Sequence, residues 1–373
     1  MKKWGLLLVL LFALLPKVAH AEEMADAVSI ESELKKLDTG AVDAVAEKLD
    51  AEVGFSDLLT EILSGEFDFT FANIKEKALE LTFGELRVQG RLLAQLVLIV
   101  ILSAILRQCS DSFQGKNVGE MGFYVCYMVL IVVILTSFYS ISQSVVERMR
   151  GICGVFGTMV PIFLVLSASS GNLTQSALMG PTLMGGAAAL SVAISYVLIP
   201  AILLAIALEM TDHISEKPIL GKFAELLRQC ISWRMKGAAM LFMLLLSLQK
   251  IGGGALNGLA AKTAKIAVGA VPVVGDVMGG AVETAAAVAG TLKSGTLVAA
   301  AVLLLLLCLP LLIKLFVIML LFRLTAAAAE FICEERLVEC IAAAGEYTGL
   351  LLGVVFLGEG MFLFSALLLL GGL

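Results

Sequence analysis

Histidine is almost missing from this sequence: two residues in 373, His20 and His213. Metal centres built on paired imidazoles, and most acid–base machinery tuned to neutral pH, cannot be assembled from that supply. Cysteine occurs seven times, at 109, 126, 153, 230, 308, 333 and 340, never as C-x-x-C and never in the first hundred residues. That spacing argues against a zinc site or a disulfide framework. Charge is scarce as well, Asp, Glu, Lys and Arg making up 16% of the chain, against about a quarter in a soluble domain. The formal net charge is −6, and an acidic balance argues against nucleic acid, whose recognition needs clustered Lys and Arg. The phosphate loop G-x-x-x-x-G-K-[ST] is absent: "GTLKSG" at 290–295 has no glycine immediately before Lys293, and "GGGALNG" at 252–258 has Asn257 where G-x-G-x-x-G would end. Hydroxyls such as Ser167, Ser169 and Ser170 have no histidine or lysine spaced to activate them. No metal, no cofactor and no enzymatic activity are expected.

What fills the space is apolar. Hydrophobic residues make up 60% of the chain, and the mean hydropathy is +0.99. Runs such as "LLAQLVLIVILSAIL" (92–106), "MGFYVCYMVLIVVILTSFYSISQS" (121–144) and "GTLVAAAVLLLLLCLPLLI" (295–313) carry no charge. An apolar run of roughly 18 or more residues can cross a bilayer. The expected fold class is all-α: a polytopic helical membrane protein with a small helical region outside the membrane. At the start, Lys2 and Lys3 precede "WGLLLVLLFALL", Pro16 and "AHA" at 19–21. This is the layout of a cleavable secretory signal peptide over residues 1–21. Residues 22–87 would then lie outside the cytoplasm, and they hold 17 acidic against 6 basic residues. In this head, Phe55, Leu58, Leu59, Ile62 and Leu63 fall on one helical stripe with Ser56 as a candidate cap, and residues 73–87 read as a helix at the membrane surface or on the head.

The membrane domain, 88–373, offers candidate spans at 88–106, 121–144, 152–170, 177–208, 237–251, 296–322 and 350–370, for about six to eight crossings. Residues 209–236 include a basic amphipathic helix suited to an anionic headgroup layer. Crossing at all seven candidates from an outside start leaves nine of the later Lys and Arg outside and six inside, whereas cytoplasmic loops should be the richer. One candidate is therefore not expected to be a full crossing. The 152–208 region, interrupted by Pro161, Pro181, Pro200 and "SASSGN", is the expected place, and a re-entrant or split helix there puts 209–236 in the cytoplasm.

Two glycine patterns and a few embedded charges stand out as packing or pore candidates. In "VPVVGDVMGGAVETAAAVAG" (271–290), Gly275 and Gly279 form G-x-x-x-G, which lets helices approach closely. Asp276 and Glu283 share a helical face, and the glycine-rich segment 252–295 reads as a mildly polar hairpin or as a loop with ordinary helices. Gly345, Gly349 and Gly353 repeat every fourth residue, a strip for contact within the chain or between copies of it. Lys314 and Glu359 sit inside apolar runs, where charges pair or line an aqueous path; a Lys314–Glu359 pair is one reading and Lys314 snorkelling to an interface the other.

With "AAKTAKIAVGAVPVVGDVMGGAVET" (260–284), the run ending "LPLLIKLFVIMLLFRLTAAA", "SASSGN" at 167–172 and the order of signal peptide, acidic head and spans, the chain resembles the stage III sporulation protein AE family of endospore-forming bacteria. The resemblance implies a membrane component of the mother cell–forespore channel, a secretion-like complex needed for late forespore gene expression. It would lie in the mother-cell-derived outer forespore membrane, with other stage III sporulation A-operon proteins as partners, stage II sporulation protein Q as an indirect one, and self-association open. No functional residues carry over. From the residues alone, a stand-alone secondary transporter or permease is the alternative.

Overall fold

The computed structural model describes residues 39–49, 51, 53–64, 71–112, 116–169, 173–212, 220–242, 244 and 275–370; at 71–78, 107, 109–112, 116–120, 123, 167–169, 173–182, 275–294 and 366–370 it describes the backbone only. The signal-peptide reading of 1–21 and the glycine-rich stretch 252–274 lie outside the described residues. Among them, all regular structure is helical: α1 (Gly40–Glu47), α2 (Phe55–Ser64), α3 (Phe71–Val88), α4 (Gly90–Ser112), α5 (Lys116–Ser169), α6 (Leu173–Ala193), a π-helical turn (Ile194–Leu198), α7 (Ile199–Asp212), α8 (221–242), α9 (Gly275–Ala329) and α10 (Glu335–Leu370).

Lipid offers backbone groups no hydrogen bonds, so an apolar chain of this kind must satisfy them within helices. Four segments are long and apolar enough to cross a membrane: Tyr124–Leu166, Leu183–Asp212, Gly295–Ala329 and Glu335–Ser365. The pair Leu79–Val88 and Gly90–Leu106, bent by 49° at the break between them, passes the same test only when taken together, as a broken span or a re-entrant loop. The chain is an all-α, polytopic membrane protein.

The candidate spans at 121–144 and 152–170 are one uninterrupted helix, α5, which also contains Pro161. A proline removes one N–H and crowds one carbonyl, but in an apolar bundle neighbouring helices hold the rod together. By length and composition Tyr124–Leu166 is one candidate crossing, so the 152–208 region yields one candidate fewer, by fusion of 152–166 with the span before it. In that region α6, the π turn and α7 run on without interruption. The π turn is the local answer to Pro200: the Ile199 N–H bonds back five residues to the Ile194 carbonyl, and the proline, which has no N–H to give, follows directly where the bonding pattern shifts from five residues back to four. Of the expected crossing at 237–251, residues 237–242 and 244 are helical and the remainder lies outside the described residues.

Successive long helices run antiparallel. Leu106 of α4 lies against Gly122 of α5, and a methyl added to that glycine would meet Leu106 Cδ1 at 3.4 Å. The Tyr127 hydroxyl near the start of α5 donates to the Met210 carbonyl near the end of α7 (2.9 Å). At the turn between α9 and α10, the Cys333 thiol donates to the Val100 carbonyl of α4 (3.3 Å). These contacts gather the ends of α4 and α7, the start of α5 and the α9–α10 turn at one end of the bundle, here called the loop end.

The head packs at the opposite end. Phe55, Leu58 and Leu59 of α2 are buried, as the apolar stripe predicts, and Leu63 reaches so close to Gly295 that a Cβ there would lie 2.6 Å from its Cδ2. Ser56 is not the cap. It lies inside α2, and the cap comes from another helix: Asp43 of α1 accepts hydrogen bonds from the Phe55 and Ser56 N–H groups and from the Ser56 hydroxyl. A tertiary cap does the work that sequence spacing assigned to a local one.

Candidate functional site

α9 and α10 form a tight hairpin. A Cβ on Gly345 would lie 3.1 Å from Arg323 Cγ and 3.4 Å from Phe322 Cβ, and one on Gly349 would lie 3.3 Å from Met319 Sδ. These two glycines therefore face α9 within the chain; Gly353 follows on α10, half-buried. Gly275, Asp276, Gly279 and Glu283 all lie on the first turns of α9, which continues unbroken into the apolar run, so the described part of 252–295 extends a spanning helix. Their side chains are outside the described ones.

The hairpin register decides the fate of the proposed ion pair. Residues 345 and 349 pack on 322–323 and 319, which puts Lys314 level with residues 353–354. Glu359 lies about five residues farther along α10, roughly 8 Å at the helical rise, and shares a small cavity with Cys308 instead. Neither Glu359 oxygen has a hydrogen-bond partner, so the Lys314–Glu359 contact is not formed. Lys314 is half-buried.

Around Glu359 the otherwise apolar bundle is crossed by a belt of polar groups. Gly358 lets α10 press on two other elements at once: a Cβ there would lie 2.6 Å from Met149 Cε of α5 and 2.7 Å from Ile194 Cδ1 of the π turn. Next to Met149, Arg148 donates from Nη1 to the Leu49 carbonyl (2.6 Å) and from Nε to the Leu307 carbonyl (3.3 Å). Leu49 follows the end of α1, where unpaired carbonyls and the helix dipole both favour a cation. One guanidinium thus joins the head, α5 and α9. Arg150 donates to the Tyr196 hydroxyl (3.1 Å) and its guanidinium carbon stands 5.3 Å from the ring centroid, within cation–π range. Ser195, in the π turn, and Ser142, on α5, are buried with hydroxyl oxygens that have no partner.

A second polar set closes the loop end. The Tyr347 hydroxyl donates to Glu209 Oε2 (2.5 Å), and Arg228 of α8 pairs with Glu346 of α10 (2.5 Å). Asp212 accepts the Leu220 N–H at 2.7 Å and so caps the start of α8. Its carboxylate lies where a Cβ on Gly221 would be, at 2.5 Å. On this helix Leu220, Phe223, Leu227 and Cys230 share one apolar face; Leu227 is half-buried and the other three are exposed on the bundle surface. Trp233 and Met240 of the same helix are also exposed, 79% and 78%.

Sequence reasoning passed over Arg148, Arg150, Tyr196, Glu209 and Asp212. The signal that could have found Arg148 is its place inside an apolar stretch running from 121 to 170, the same logic that singled out Glu359. Among the described residues, no group of His, Cys, Asp and Glu is arranged to hold a metal ion.

Comparison with known proteins adds the biological setting. The family model described as stage III sporulation protein AE matches residues 53–372. A relative named stage III sporulation protein AE, from Bacillus subtilis (strain 168), is 25% identical over 237 residues, which is 63% of this chain and 59% of the relative. The chain thus matches about three-fifths of that relative's length. No solved structure matches.

Proposed function

The chain belongs to the stage III sporulation protein AE family, and on that premise we propose that this sporulation membrane protein is the multi-pass component of a channel or secretion-like complex between mother cell and forespore. It sits in the mother-cell-derived outer forespore membrane. The head faces the space between the two membranes, where other stage III sporulation A-operon proteins, and through them stage II sporulation protein Q, assemble on it. The loop end faces the mother-cell cytoplasm.

The observation that carries the orientation is the distribution of positive charge along the bundle. Lys222, Arg228, Arg234 and Lys236 on α8 and Arg323 and Arg336 beside the α9–α10 turn lie toward the loop end, as cytoplasmic segments require. The head end also carries Lys48, Arg87 and Arg91, set among the acidic residues of the head, and the belt arginines Arg148 and Arg150, which are engaged by carbonyls and an aromatic ring. Deletion of the gene should leave growth normal and stall development after engulfment, with late forespore transcription lost. Sporulation at parental levels in the deletion strain would refute the role.

A stand-alone transporter is favoured by two features, the π-helical turn at Ile194–Leu198, a local departure from α geometry, and the buried acid at Glu359, since transporters place irregular helices and charges near their sites. Expression confined to sporulation, and loss of sister A-operon proteins from the membrane fraction of the deletion strain, would separate the complex from a solitary carrier.

A further inference from the structure

We propose that Glu359 is a proton-binding site inside the membrane bundle: a carboxyl buried without a partner, facing an apolar cavity at the level where α5, the π turn, α9 and α10 meet. The inference is independent of the conduit reading and holds for either function.

Three observations lead to it. Glu359 is 3% exposed and neither carboxyl oxygen has a hydrogen-bond partner. The cavity it shares with Leu304, Leu305, Cys308, Leu312 and Leu363 measures about 10 Å³, room for about a single water and no more. The charged and titratable groups that act on it are Arg148 of α5 and Cys308 of α9, whose thiol, a weak donor, is the polar neighbour in the cavity but does not reach a formed hydrogen bond. Arg148 already donates to the Leu49 and Leu307 carbonyls, and no bond runs from it to the Glu359 oxygens.

An ionised carboxylate in such a place, without hydrogen bonds, costs several kcal/mol. Something must neutralise it. A hard divalent cation needs six or more oxygen ligands, and transition metals need several nitrogen, sulfur or carboxylate donors in a defined geometry. One carboxylate and one thiol among leucines supply neither. Arg148 is the cation in range, but its guanidinium is engaged by the Leu49 and Leu307 carbonyls and makes no bond to the carboxylate; a proton removes the charge and needs no further ligand. Buried acids of this kind in membrane proteins serve as proton relays, and Glu359 stands next to Gly358, where α10 presses on α5 and the π turn together.

The test uses the full-length protein in detergent or liposomes at neutral pH. An infrared difference spectrum between parent and Glu359→Gln should show the carbonyl band of an un-ionised carboxylic acid in the parent and its loss in the variant. Dicyclohexylcarbodiimide, which is apolar, should add to the same residue. The acid O–H adds across a C=N bond, the proton going to nitrogen and the carboxyl oxygen to the central carbon, and the adduct rearranges to a stable N-acylurea. Peptide mass spectrometry should place it on Glu359, absent from Glu359→Gln and from the exposed head acids Glu47 and Glu61. Because Gln is a neutral near-isostere, the variant should fold and melt as the parent does. The band decides the matter: if no acid carbonyl band depends on Glu359, or if Glu359→Gln unfolds well below the parent, as loss of a needed anion would cause, the proposal is wrong.

Discussion

Replacing Arg148 by Met should loosen the head while leaving the helical hairpin intact. Met keeps most of the aliphatic stem and removes the guanidinium, so the packing of α5 is preserved and the two carbonyl contacts are lost. The bond to Leu49 is short, 2.6 Å, and that to Leu307 is longer, 3.3 Å. A hydrogen bond to a charged donor contributes about 1.5–3 kcal/mol, and the half-buried setting places the Leu49 bond within that range and the longer one below it. At 1.4 kcal/mol per factor of ten, loss of the Leu49 bond alone raises the population of the undocked head about tenfold to a hundredfold. Hydrogen–deuterium exchange on the full chain reads this directly. Amides of 40–64 should exchange faster by that factor, while those of α9 and α10 near Gly345 and Gly349 stay protected. Arg148→Lys, which keeps the charge but not the fork, should fall between. Unchanged head protection in Arg148→Met would show that Phe55, Leu58, Leu59 and Leu63 hold the head unaided. Equal loss of protection everywhere would show that Arg148 stabilises the whole bundle. Either result refutes the clamp.

The two glycines flanking Glu359 should respond oppositely. Gly358→Ala forces a methyl within 2.6–2.7 Å of Met149 and Ile194 and should destabilise by about 1–3 kcal/mol; Gly360→Ala meets nothing within 4 Å and should be neutral or stabilising by up to about 1 kcal/mol. Melting in detergent separates them. Asp212→Ala should cost about 0.5–2 kcal/mol through the lost α8 cap, seen as faster exchange confined to the first turns of α8. Lys314→Met should leave stability unchanged within about 0.5 kcal/mol, and the double swap Lys314→Glu with Glu359→Lys should assemble no better than either single change; rescue by the swap would restore the ion pair that the hairpin register rules out.

The class of fold was legible because lipid leaves the backbone few choices: long uncharged runs become helices. The α2 stripe was legible for a similar reason, its period matching one buried face. The α5 rod was not. Its apolar run is interrupted at Glu147, Arg148 and Arg150, which reads locally as the end of one span and the approach to another. What keeps the helix going is tertiary, since Arg148 is satisfied by carbonyls 99 and 159 residues away in sequence. The Asp43 cap of α2 is hidden for the same reason. Lys314 and Glu359 were singled out correctly as embedded charges, but whether they meet depends on the hairpin register. "GEG" at 358–360 likewise does not say which glycine faces a neighbour and which faces open space. Membership of a sporulation family was legible from the "KIAVGAVPVVGD" region, whose first residues lie outside the described ones.

One consequence of α5 is mechanical. Its 54 residues make a rod about 81 Å long, more than twice the apolar thickness of a bilayer. With no loop along its length to absorb motion, the rod transmits it. A tilt of about 5° about a pivot in the membrane would carry a tip roughly 40 Å away through about 3.5 Å. The Leu49 carbonyl is fastened to this lever partway along, so a push received at one surface of the membrane becomes a displacement at the other.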